Sequence, residues 1–317
     1  MTIALLAALF FVLGLYLTMK GGDAFVESAA FIAAVTGVPQ MIVGATIVSL
    51  ATTAPELFVS VLATLRGAND MAAGNAIGSV CCNTGLILGL ALLFLPGRFD
   101  TRELRVKGGL LFGAAMLFGP FCIDGALGPL EALALVGVLA AFLWCNVRGA
   151  QRSSRLESVR VDASDTEKLA NGCKFALGAG AVLLGAHLMV ENGTLLARLL
   201  GVPEGVIGLT LVAVGTSLPE LMTALAAIRH HQAAMSVGNI LGANIIDLTM
   251  VPAACALAAH GTLTVGTQTA LRDTPFALLL AGVALLPAMR TGRMHRWQGV
   301  ALTALYMVYV GRLLVFM

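Results

Sequence analysis

Residues 49–60 read SLATTAPELFVS and residues 213–224 read AVGTSLPELMTA. Each sets a glutamate directly behind a proline inside an apolar run: Glu56 after Pro55, and Glu220 after Pro219. A charged side chain at the centre of a bilayer costs at least about 2.5–3.5 kcal/mol, and such residues usually face a pathway or cavity. Thr52 and Thr53 lie four and three residues before Glu56, so hydroxyls and carboxylate share one helix face, and Thr216, Ser217 and Glu220 repeat the pattern. Pro55 and Pro219 lack the N–H that would bond the carbonyl four residues back, which frees the carbonyls of Ala51 and Gly215. Carboxylate, hydroxyl and carbonyl oxygens form a hard ligand set. It suits calcium or an alkali cation and argues against zinc or copper.

The surrounding chain places these segments in a membrane. Of 317 residues, 58% are hydrophobic and 11% charged, where a soluble domain carries about 25% charged residues. Apolar runs long enough to span as helix recur with cores near 3–19 (continuing to 34), 40–64, 71–95, 108–122, 129–147, 173–199, 205–228, 235–259, 271–288 and 298–316. The pattern predicts an all-α polytopic membrane protein of about ten transmembrane helices. The first span has no basic residues ahead of its apolar core and reads as retained structure rather than a removed signal peptide. Six cysteines (Cys81, Cys82, Cys122, Cys145, Cys173 and Cys255) show neither zinc-site nor disulfide spacing. A net charge of +2 gives no reason to expect nucleic acid as a partner.

The charges lie in particular loops. Arg98, Arg102, Arg105 and Lys107 follow the third span, and Arg148, Arg152, Arg155, Arg160 and Lys168 follow the fifth. Arg229 follows the seventh, and Arg290, Arg293 and Arg296 follow the ninth. With ten spans, all four loops fall on one face, and the other face holds Arg66, Arg198 and Arg272. The positive-inside rule therefore predicts a plasma (inner) membrane protein with cytoplasmic basic loops and both termini external.

An internal repeat organises the chain. At an offset of 164 residues, positions 21–90 align with 185–254, and nineteen of the seventy pairs are identical. The identities include Gly37/Gly201, Pro39/Pro203, Gly44/Gly208, Thr52/Thr216, Pro55/Pro219, Glu56/Glu220, Gly74/Gly238, Asn75/Asn239 and Gly78/Gly242. Each half holds five spans, and an odd number inverts the second copy. The predicted organisation is a first five-helix half (1–147), a cytoplasmic linker (148–170) and a second five-helix half (171–317), together one transporter domain. Inverted repeats are a transporter architecture, with the substrate site near the midplane where interrupted helices meet.

Spans three and eight add matching polar positions. Asn75, Ser79 and Asn83 share one helix face, as do Asn239 and Asp247. The pairs Gly74/Gly78 and Gly238/Gly242 form small-xxx-small patterns that let helices approach closely. Four helices thereby converge on one oxygen-rich pocket. ATTAPE with GNAIGS-x-x-x-N, and GTSLPE with GN-x-x-G-x-N-x-x-D, resemble the two α-repeats of the sodium/calcium exchanger family, the broader calcium/cation antiporter group. The similarity covers both halves.

That resemblance implies exchange of calcium for sodium by alternating access, no cofactor and no enzymatic activity. It makes Glu56 and Glu220 the central metal ligands, with Asn83 and Asp247 completing the central cation site. Thr52, Thr53, Thr216, Ser217 and Ser79 match hydroxyl or main-chain ligands beside it, and the carbonyls of Ser49 and Ala213 match backbone ligands. The sequence departs from the family at Ala51, Thr53, Ala54 and Ala243. Ala243 stands where the family keeps a serine hydroxyl as a flanking sodium ligand, so H+ (or K+) in place of sodium is the alternative coupling ion. A cation channel is the alternative from another class, but an inverted repeat with midplane acids fits a carrier better. Asn75 and Asn239 read equally as ligands or as helix glue. Asp23, Glu27 and Glu191 read as packing or gating groups, and His230 and His231 as a solvated helix end.

Overall fold

The computed structural model describes residues 2–156, 162–201 and 213–315, and nearly all of them are helical. The helices in chain order are α1 (Thr2–Thr36), α2 (Gln40–Thr52), α3 (Ala54–Leu65), α4 (Asn69–Phe94), α5 (Thr101–Phe121) and α6 (Pro129–Leu156). They continue with α7 (Asp165–Leu199), α8 (Ala213–Thr216), α9 (Leu218–Arg229), α10 (Ala233–Ala258), α11 (Thr269–Thr291) and α12 (Arg296–Val315). Among the described residues seven helices are long and apolar enough to cross a bilayer, or eight with the bent pair α2–α3 taken as one span. Residues 205–212 of the predicted seventh span lie outside the described residues.

Two short antiparallel strand pairs link loops. Gly97–Arg98 pairs with Arg293–Met294, and Ala126–Leu127 pairs with Leu263–Thr264.

Burial separates the centre from the lipid-facing periphery. The most apolar windows of α4 and α10 are 72% and 78% buried, against 17% for α1. Glycines set how closely α10 approaches α2. A Cβ at Gly242 would stand 2.5 Å from the Ala45 carbonyl oxygen and 2.6 Å from Ser49 Oγ, and one at Gly238 would overlap the Met41 carbonyl. Of the other small-residue pair, Gly74 has Thr269 Oγ1 3.7 Å from a Cβ placed on it, and Gly78 has nothing described within 4 Å.

At the periphery, α1 and α7 pack lengthwise through their own glycines, with a Cβ at Gly14 placed 2.7 Å from the Gly185 carbonyl. α1 is one unbroken helix, so residues 20–34 carry the predicted first core straight on. Its polar residues find partners on neighbouring helices. Glu27 pairs with Lys174 at 2.7 Å, and Asp23 pairs with Arg229 at 2.8 Å and lies 3.4 Å from His230 Nε2. Asp23 thus ties the middle of α1 to the C-terminal end of α9, which sequence spacing does not reveal.

Helix breaks occur where the backbone ladder is interrupted. α2 and α3 meet at Thr53 with a 41° bend, two residues before Pro55. Wider π turns interrupt the α geometry at Gly44–Val48 in α2, Asn83–Leu88 in α4 and Thr269–Asp273 in α11. Such turns recur at functional sites because they redirect side chains without ending the helix. Pro287 removes the usual donor to the Val283 carbonyl, and Gln298 of α12 replaces it, with Nε2 donating to Val283 at 3.0 Å and to Ala284 at 2.8 Å.

Helix enters the predicted 148–170 linker from both sides. α6 continues through Leu156, and α7 starts at Asp165 behind a capping box. There Ser164 Oγ accepts from the Glu167 N–H at 3.2 Å, and Glu167 Oε2 accepts from the Ser164 N–H at 2.7 Å. Residues 157–161 lie outside the described residues.

Candidate cation site

Thr52, Thr53 and Glu56 stand at the α2–α3 break, and Thr216, Ser217 and Glu220 at the α8–α9 break. Ser79 and Asn83 come from α4, and Asp247 from α10. All nine side chains are at most 9% exposed, with Glu56, Glu220 and Asp247 at 0%.

The hydrogen bonds within the site cross between the two halves of the chain. Thr53 Oγ1 donates to Glu220 Oε1 at 3.4 Å, and Asn83 Nδ2 donates to Asp247 Oδ2 at 3.4 Å. Thr52 Oγ1 lies 3.3 Å from Asn239 Oδ1, while Thr216 Oγ1 lies 3.4 Å from Asn75 Oδ1. The last two contacts interchange when every residue number is moved by the 164-residue offset. Asn75 and Asn239 then reach further, donating to Ser60 Oγ at 3.0 Å and Thr223 Oγ1 at 3.2 Å. These asparagines therefore bridge the broken spans and orient their threonines. The sequence signal was the repeated Gly-Asn pair. Asn244, the second asparagine of the GN-x-x-G-x-N-x-x-D motif, donates from Nδ2 to Thr84 Oγ1 at 2.7 Å, inside the π turn of α4.

Among the described residues, several buried oxygens have no protein hydrogen-bond partner: both carboxylate oxygens of Glu56, Glu220 Oε2, Asp247 Oδ1, Asn83 Oδ1, and the hydroxyls of Ser79 and Ser217. Leaving one such group unsatisfied costs about 1–3 kcal/mol, more when charged, so native interiors avoid it. These seven atoms belong to the residues of the two breaks and of α4 and α10, and five of them are acceptors only, as a cation requires.

Three details restrict the ligand set. The Ser49 carbonyl accepts the Thr53 N–H at 2.9 Å and lies 3.3 Å from Thr52 Oγ1, so the local turn already engages it. Among the described residues no three His, Cys, Asp or Glu side chains lie close enough to form a metal centre by themselves. An ion held between Glu56 and Glu220 therefore needs neutral oxygens as well. Ala243, fully buried on α10, contributes no side-chain oxygen.

A helical membrane protein whose unsatisfied buried oxygens converge at two broken spans is built as a carrier of small cations. A sequence model of the sodium/calcium exchanger protein family matches residues 6–148 and 173–315. Inner membrane protein YrbG of Escherichia coli (strain K12) is 33% identical over 320 residues, covering 98% of this chain and 97% of its own length. Sodium/calcium exchanger MaX1 of Methanosarcina acetivorans is 30% identical over 344 residues, covering 95% of this chain and 97% of its own length. A solved structure of the sodium-calcium exchanger NCX_Mj superposes with a TM-score of 0.85 at 28% identity, over 97% of this chain and 99% of that one. The chain belongs to the sodium/calcium exchanger family: it is a membrane cation antiporter.

Proposed function

We propose that this antiporter exchanges calcium for sodium by alternating access at one midplane site. Glu56 and Glu220 are its central ligands, and Asn83, Asp247, Thr52, Thr53, Thr216, Ser217 and Ser79 complete or flank it. The carrying observation is the group of buried, unpartnered oxygens around the two glutamates. Close carboxylates repel in a low-dielectric interior, so the site reorients only when cations or protons compensate them. Calcium and sodium compete for the same charges, and that competition is the coupling.

The architecture proposed around the site is ten spans in two inverted halves, 1–147 and 171–317, with the 148–170 connection cytoplasmic and both termini external. The hydrogen bonds interchanged by the 164-residue offset support the repeat, as does a family match in two stretches on either side of the connection. The strand pairs fit as well, since each joins two loops assigned to the same face. A cysteine introduced by Ser154→Cys, in a background lacking the exposed Cys173, therefore reacts with a membrane-impermeant maleimide only after cells are opened. Labelling of intact cells reverses the assigned orientation.

Coupling is tested with purified protein in sealed vesicles. An outward sodium gradient drives radioactive calcium uptake at fixed pH and membrane potential. Uptake driven by a pH gradient and indifferent to sodium replaces sodium with protons. Ala243 makes the proton reading specific, because a flanking site lacking that hydroxyl holds sodium through fewer oxygens. Ala243→Ser is expected to lower the half-maximal sodium concentration about two- to fivefold and to change calcium affinity much less, because calcium is held chiefly by formal charge. An unchanged sodium dependence would mean that another oxygen already completes that site.

A further inference from the structure

Among the described residues four acids are buried, and the ion site accounts for Glu56, Glu220 and Asp247. The fourth, Asp273, ends the π turn of α11 and is 6% exposed. A carboxyl group inside a membrane span is costly and marks a functional position. We propose that Asp273 is a positioning residue: through Tyr309 and Tyr306 of α12 it braces the π turn of α4 that carries Asn83. The proposal rests on Asn83 belonging to the cation site, and not on which cations are exchanged.

The path runs through three helices. Tyr309 Oη donates to Asp273 Oδ1 at 3.0 Å. The Tyr309 ring also stacks on Phe276, one turn further along α11, with centroids 4.5 Å apart and planes 8° from parallel. These two contacts fix α12 against α11. Tyr306 lies one turn before Tyr309, with ring centroids 6.4 Å apart. It packs on Gly85 so closely that a Cβ placed there would stand 2.7 Å from Tyr306 Cβ and 3.1 Å from its Cγ. Gly85 is the third residue of the Asn83–Leu88 π turn, and Asn83 is the first. Asp273 reaches α4 directly as well, since Cys81 Sγ donates to its main-chain carbonyl at 3.8 Å.

The π turn of α4 needs such a brace. Its wider ladder interrupts the α geometry on either side, so the packing against it decides where its side chains point. Asn83 Nδ2 reaches Asp247 Oδ2 at 3.4 Å, long enough that a small rotation of the turn breaks the contact. Asp273 itself is not placed as an ion ligand. One of its oxygens is taken by Tyr309, and neither belongs to the unpartnered group that marks the cation site. A neutral acceptor at position 273 would therefore serve as well as the carboxylate.

Equilibrium dialysis of the purified full-length protein against radioactive calcium, at fixed pH, tests the path. Tyr309→Phe removes the donor and Asp273→Leu the acceptor of one bond. Each is expected to raise the half-saturating calcium concentration about three- to tenfold, and the double variant should go no further than Asp273→Leu. Asp273→Asn keeps an oxygen for Tyr309 and should stay within about twofold of the parent. Asn83→Ala should weaken calcium binding by itself, and adding Tyr309→Phe to it should then change binding less than about 1.5-fold. A loss in Asp273→Asn as large as that in Asp273→Leu would make the charge the function and overturn the positioning role. A lower Tm in Tyr309→Phe with unchanged calcium binding, or additive losses in the Asn83→Ala background, would reduce the pair to helix packing and overturn it too. Parent-like binding by Asn83→Ala is the separate result that removes Asn83 from the cation site, and the proposal with it.

Discussion

Glu56→Gln and Glu220→Gln are each expected to lower calcium exchange at least about 100-fold, a difference of about 2.7 kcal/mol, while the protein still accumulates in the membrane. Glutamine keeps the shape and one oxygen of glutamate and removes only the charge. If Glu56 were a packing group, the exchange would be benign, because both of its carboxylate oxygens are buried without a partner and a neutral amide is cheaper to bury. The same substitution removes most of the attraction for a divalent ion. Function and stability thus move in opposite directions. Vesicle transport normalised to membrane protein separates them, and near-normal exchange in either variant removes that residue from the central site.

Gly242→Ala is expected to have the next largest effect, through the backbone. The new methyl would meet the Ala45 carbonyl oxygen at 2.5 Å and Ser49 Oγ at 2.6 Å, neither of which is the movable end of a long side chain. Separating α10 from α2 costs about 3 kcal/mol. It also carries Asn239 and Asp247 away from Thr52 and Asn83, whose contacts are already long at 3.3 and 3.4 Å. Recovery of folded protein should fall severalfold, and transport per folded molecule at least about tenfold. Gly137→Ala, on an exposed stretch of α6 with nothing described within 4 Å, should change neither. Wild-type stability and transport in Gly242→Ala would show that the helices can separate without cost.

The parts of this arrangement legible in the sequence are those set by local chemistry. Pro55 and Pro219 mark where two spans break, because an absent N–H is visible in one letter. Glu56, Glu220, Asn83 and Asp247 stand out because polar residues are expensive at membrane depth. Gly238 and Gly242 announce a close helix contact through their spacing.

Features decided by tertiary pairing were not legible. No residue type signals the π turn at Asn83–Leu88, yet it affects where Asn83 points. Asn75 and Asn239 were ambiguous because their partners, Thr216 and Thr52, belong to the opposite half of the chain. The Ser49 carbonyl fits the family's ligand pattern, and its engagement by the Thr53 N–H in the local turn is a tertiary detail that the pattern does not carry. Asp23 reads only as a packing or gating group, because its partner Arg229 belongs to another helix.

The central claim is that calcium and sodium occupy the same oxygen cluster between Glu56 and Glu220. Equilibrium dialysis of purified protein against radioactive calcium tests it without a membrane gradient. Sodium should displace bound calcium completely, choline at the same ionic strength should displace none, and Glu56→Gln and Glu220→Gln should each lose the saturable calcium site. Calcium that remains bound at saturating sodium, or binds both variants as tightly as the parent, would contradict the account.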